Sequence, residues 1–120
     1  IILCYFKNLT VKTGYQAIQR FTENNKSFDG IVCASDEIAM GAINALREKG
    51  IKVPEDVSVI GFDNNVMGSI FYPKLTTISQ PSYDMGSVAV RMLIKMLNKK
   101  ELDNPNYVLN YELIKRESTK

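Results

Sequence analysis

Short apolar runs alternate with helix-forming stretches along this chain, and that alternation constrains its fold more than any other feature. Gly30-Ile31-Val32-Cys33-Ala34, Val57-Ser58-Val59-Ile60-Gly61-Phe62 and Leu75-Thr76-Thr77-Ile78 are short and mostly rich in β-branched residues, as buried strands are. Between and after them, apolar residues recur at helical spacing. Thr13-Gly14-Tyr15-Gln16 fits a capping box ahead of a helix whose face carries Ala17, Ile18 and Phe21. Ile38, Ala39, Ala42, Ile43 and Leu46 predict a second helix, capped by Ser35 or Asp36 and closed by Lys49-Gly50. Ser82 can cap the most regular helix, with Met85, Val88, Ala89, Met92, Leu93, Met96 and Leu97 in one unbroken stripe. A stripe that regular reads as core rather than as a binding groove. Further strands are expected over Ile1 to Phe6 and within Tyr107 to Ile114, with an irregular stretch from Asp63 to Pro73. The expectation is an α/β fold: a Rossmann-like, mostly parallel sheet with helices on both faces and right-handed crossovers.

Composition then removes whole classes of function. The chain has 120 residues and no His, so it holds no Ser-His-Asp or Cys-His machinery and no His-ligated metal. Cys4 and Cys33 are too few for a four-thiolate site, and both lie in apolar runs, which reads as two buried free thiols in a reducing compartment. Lys and Arg number 15 against 13 Asp and Glu, spread without a basic block, so the chain shows no surface for reading DNA. It shows no phosphate-binding loop, dinucleotide fingerprint or membrane span, and no nucleophile with a base beside it. No enzyme, cofactor or metal is expected. A chain opening directly on a strand reads as part of something longer, and Ser118-Thr119-Lys120 as a natural terminus.

In a parallel sheet of this kind ligands bind at the carboxyl ends of the strands. Three strands end there in polar groups: Ser35-Asp36, Asp63-Asn64-Asn65 and Ser79-Gln80. Carboxylates, amides and hydroxyls converging on one edge suit a polyhydroxy ligand. Each has a plainer alternative. Asp36 is either a helix cap or a ligand contact, Asp63 either a ligand contact or a turn-shaping residue, and Gln80 either a contact or a partner for backbone groups.

The run Ala34-Ser35-Asp36-Glu37-Ile38-Ala39-Met40-Gly41-Ala42, then Val53-Pro54-Glu55-Asp56-Val57-Ser58-Val59-Ile60-Gly61-Phe62-Asp63-Asn64, resembles the LacI/GalR family of bacterial transcriptional regulators. The likeness continues through Tyr72-Pro73-Lys74-Leu75-Thr76-Thr77-Ile78-Ser79-Gln80-Pro81 to Ile114-Lys115-Arg116-Glu117-Ser118-Thr119. The resemblance implies the carboxyl-terminal part of a two-lobed, periplasmic-binding-protein-like effector core. Residues 1–79 and 112–120 would belong to the second lobe and 80–111 to the first. It implies a cytoplasmic homodimer that senses a small effector, most naturally a sugar, and reads operator DNA through an amino-terminal domain absent from this chain. Asp63 would contact the effector, with Ser35, Gln80 and Asp36 beside it. Met40, Met67, Ile70 and Phe71 would lie at the two-fold contact. The competing reading is a lobe of an extracellular sugar-binding protein of the same fold.

Overall fold

The computed structural model describes residues 8–23, 27–102 and 104–120, so the strand expected over Ile1 to Phe6, with Cys4, lies outside the described residues. Helix α1 (Val11–Glu23) starts two residues before the expected box. Thr10 N–H donates to Thr13 Oγ1 at 3.0 Å and Thr13 N–H to Thr10 Oγ1 at 3.3 Å, a reciprocal cap that uses Thr13 as its far member rather than its start. Ile18 and Gly14 are the buried residues of its inner face.

Helix α2 (Asp36–Glu48) is the centre of the core. Ser35 is its N-cap, its hydroxyl accepting from Ile38 N–H at 3.3 Å, and Asp36 and Glu37 place negative charge at the positive end of the helix. Every residue of the predicted stripe is buried, Leu46 and Ala39 at 0 % exposure. At the far end Gly50 takes φ +73°, which admits paired bonds from Gly50 N–H to Arg47 O and Ile51 N–H to Leu46 O, both 3.0 Å. Helices α1 and α2 cross backbone to backbone. A Cβ on Gly14 would strike the Ile38 carbonyl, and one on Gly41 the Val11 carbonyl, so only glycine fits at the crossing.

The sheet has the order β1-β2-β3-β4, from β1 (Gly30–Val32), β2 (Ser58–Phe62), β3 (Thr76–Ser79) and β4 (Glu112–Ile114). β1 and β2 run parallel with Val32 opposite Ile60, and β2 and β3 run parallel with Phe62 opposite Ile78. Their carboxyl ends therefore meet at one edge. Of the strand expected within Tyr107 to Ile114, only Glu112–Ile114 forms. The stretch expected to be irregular holds a five-residue helix, α3 (Val66–Ile70), started by Asn65 Oδ1 accepting from Met67 N–H at 3.0 Å. One turn started by an Asn side chain has too few residues to show a helical period.

The chain divides into two compact units. One runs to Ser79 and resumes over Leu113–Lys120; the other is Gln80–Glu112. The second carries α4 (Ser82–Leu97), which has Pro81 rather than Ser82 at its N-cap and no side-chain cap bond. No residue of α4 is buried, and Met96 and Leu97 are 60 % and 74 % exposed. No residue of the stripe that reads as core is buried: periodicity marks an apolar face without saying what element lies against it.

Candidate ligand-binding site

Asp63 follows the last residue of β2, at the carboxyl edge of an inner strand, where its side chain is exposed. Its backbone is unusual. Asp63 has φ +109° and Asn64 φ +53°, a left-handed pair that L side chains rarely adopt. Such a conformation persists only when its surroundings hold it. Here three successive amides are held: Asp63 N–H donates to Ile78 O at 3.0 Å, Asn64 N–H to Thr77 Oγ1 at 3.3 Å and Asn65 N–H to Asp36 Oδ2 at 2.6 Å.

Asp36 is the fixed point of this arrangement. It is 1 % exposed, its Oδ1 accepts from the Thr77 hydroxyl at 2.6 Å, and its Oδ2 accepts from Asn65. Bonds that short to a carboxylate are charge-assisted and strong. Gly61 makes room for it, because a Cβ there would collide with Asp36 Oδ1. The cap expected of Ser35 or Asp36 is Ser35, and both Asp36 oxygens are turned inward to clamp the 63–65 turn.

The other predicted residues are placed as follows. Ser35 is 6 % exposed, its oxygen engaged with Ile38 N–H. Gln80 is half-buried and opens the second unit directly after β3. Met67 and Ile70, on α3, are 51 % and 70 % exposed, whereas Phe71 packs partly into the core. Met40, at 7 % exposure, packs with this chain's own core.

The sequence reading missed the polar stitching behind the turn. Thr76 and Thr77 are fully buried in an inner strand, which β-propensity alone would assign to packing. Thr76 N–H donates to Ser118 Oγ at 2.8 Å, Ser118 Oγ donates to Val59 O at 2.6 Å, and Arg116 N–H donates to Thr76 Oγ1 at 2.9 Å. The carboxyl-terminal segment therefore sews β2 to β3 beneath the site. No local signal marks it, because Arg116-Glu117-Ser118-Thr119 has the composition of an exposed tail. Among the described residues no buried side-chain nitrogen or oxygen lacks a partner. Cys33, beneath β1's end, is buried and free, and burial with help from the Asp36 charge pushes its thiol up to about 12. Among the described residues no group of His, Cys, Asp and Glu could hold a metal, and no helix is long and apolar enough to cross a membrane.

The periplasmic binding protein-like domain family matches residues 6–119 of this chain. The chain belongs to it. Within that family its relatives are transcriptional regulators of the LacI/GalR type, as the motifs implied. The HTH-type transcriptional regulator RegA of Clostridium saccharobutylicum is 68% identical over 117 residues, covering 98% of this chain and 35% of its own. The crystal structure of the transcription regulator CcpA of Lactococcus lactis superposes with a TM-score of 0.83 at 35% identity, over 94% of this chain and 41% of that one. A complex of the transcriptional regulator CelR with cellobiose gives a TM-score of 0.84 at 30% identity, over 92% and 34%. The chain thus spans about a third of the length of the curated relatives it matches most fully.

Proposed function

We propose that this chain is the effector-sensing part of a cytoplasmic, DNA-binding transcriptional regulator, and that its effector is a sugar. The observation that carries the reading is the Asp63 turn: an exposed carboxylate at the carboxyl edge of an inner strand, on a left-handed backbone that three bonded amides hold in place. A carboxylate on a backbone held this way can accept two hydrogen bonds from neighbouring hydroxyls. The cellobiose complex of a similar regulator supports a sugar as the ligand class. The Ser35 hydroxyl joins the proposed contact set, and Asp36 acts from behind by holding the turn.

In this reading the unit ending at Ser79 and resuming at Leu113 is part of the second effector lobe, and the unit Gln80–Glu112 is part of the first. Operator DNA is read by a domain outside this chain. The protein pairs as a homodimer through the apolar surface of α3, where Met67 and Ile70 stand exposed and Phe71 anchors the helix to the core. The relatives being named as regulators favours this over an extracellular sugar-binding lobe. Calorimetric titration of the full-length protein with pentoses, hexoses and disaccharides including cellobiose, alongside purine bases, tests the ligand class. Saturable binding of a sugar is expected. Binding of a purine base with no response to any sugar would overturn the sugar reading.

A further inference from the structure

Asn64, the second left-handed residue of the turn, is oriented from the far end of the chain. Arg116 donates from Nη2 to Asn64 Oδ1 at 2.7 Å and from Nη1 to Leu75 O at 2.8 Å. A guanidinium only donates, so it fixes the carboxamide with its oxygen toward Arg116. The Asn64 amide nitrogen is thereby turned to donate to Ser79 Oγ at 3.2 Å. All three side chains are half-buried, which limits competition from water. Ser79 is the last residue before the chain leaves the first unit, and Arg116 lies just after its return at Leu113.

We infer that Arg116 is a positioning residue, which through the Asn64 carboxamide holds the Asp63–Asn64 turn in its left-handed form and so aims the Asp63 carboxylate. Its consequence for ligand affinity rests on the reading of Asp63 as a sugar contact; its effect on the turn does not. The planar fork is what the job requires. Leu75 O and Asn64 Oδ1 are separate acceptors reached by two nitrogens of one rigid group, and a Lys ammonium in its place serves one of them well.

The test is hydrogen exchange on the full-length protein, read at the amides of Asp63, Asn64 and Asn65, all bonded in the native turn. No sugar is needed for this readout, so a failure of the sugar reading leaves it intact. In Arg116→Met, exchange at these amides should rise about tenfold or more, the scale of losing a hydrogen bond to a charged group, while α2 amides keep their wild-type rates. Acceleration spread evenly over α2, or none at the turn, would overturn the inference. Arg116→Lys covers the case in which the Met variant folds poorly: it should raise exchange at the turn by a smaller factor with α2 unchanged, and wild-type rates there would count against us. In a double-mutant cycle Asn64→Ala should add little on top of Arg116→Met; independent effects would mean that Arg116 acts elsewhere.

Discussion

Replacing Asp36 by Ala removes both acceptors of the clamp at once, and its cost can be worked out from the partners left behind. Thr77 is 0 % exposed, so its hydroxyl loses a 2.6 Å bond with no water to replace it. An orphaned buried donor costs about 1–3 kcal/mol. Asn65 is exposed, so its amide is rehydrated at a smaller cost, about 1 kcal/mol. The sum is about 2–4 kcal/mol, a large part of the roughly 5–15 kcal/mol that holds a domain together. Asp36→Asn should lose less, about 1–2 kcal/mol, because the amide can accept from Asn65 and donate to Thr77 while giving up the charge. Urea unfolding followed by circular dichroism reads this as a lowered midpoint at unchanged slope. Thr77→Val supplies the internal check, costing less in the Asp36→Ala background than in the wild type, since the donor it removes is already orphaned. An Asp36→Ala midpoint within error of the wild type, or strictly additive Thr77 and Asp36 effects, would refute the clamp.

Cys33 should resist Ellman's reagent at pH 8 in the folded protein and react on unfolding, because burial raises its thiol from 9.0 to about 12. The unfolded chain releases that proton at lower pH than the folded one, so Cys33 subtracts stability as pH climbs through this window and leaves it unchanged below; pH-dependent urea midpoints check the sign. Tyr15, raised by its hydrogen bond to Glu48, acts in the same direction. Met67→Glu with Ile70→Glu, two exposed positions on α3, should shift the proposed full-length dimer to monomer in analytical ultracentrifugation while leaving circular dichroism unchanged; a persistent dimer would remove α3 from the interface.

The features readable in the sequence were those set by local periodicity and short-range chemistry. The α2 stripe from Ile38 to Leu46 is buried as its spacing predicts, and Lys49-Gly50 closes the helix with the left-handed glycine that such an end needs. Ser82–Leu97 forms the helix its stripe requires, but none of its residues is buried. At Thr10 the structure chose between two Thr residues three apart, either of which can lead a capping box, so position alone could not decide. The carboxyl edge was correctly singled out as polar, yet the division of labour within it was not legible. Asp36 and Asp63 both follow strands in sequence, and only the fold turns one inward onto Thr77 and leaves the other exposed on a left-handed backbone. Arg116 and Ser118 act on residues some forty to sixty positions away, a separation that no motif spacing encodes.

The central claim, that the Asp63 carboxylate binds the effector, is tested most directly by calorimetry of Asp63→Ala and Asp63→Asn in the full-length protein. The titrant is the panel sugar the wild type binds most tightly, with thermal unfolding measured alongside. Two charge-assisted bonds at about 1.5–3 kcal/mol each predict a loss of affinity of roughly a hundredfold or more. The turn is held through backbone amides and through Asp36, and thermal unfolding reads whether it survives each substitution. Unchanged sugar affinity with a lowered melting temperature would contradict the account and leave Asp63 as a residue that only shapes the turn.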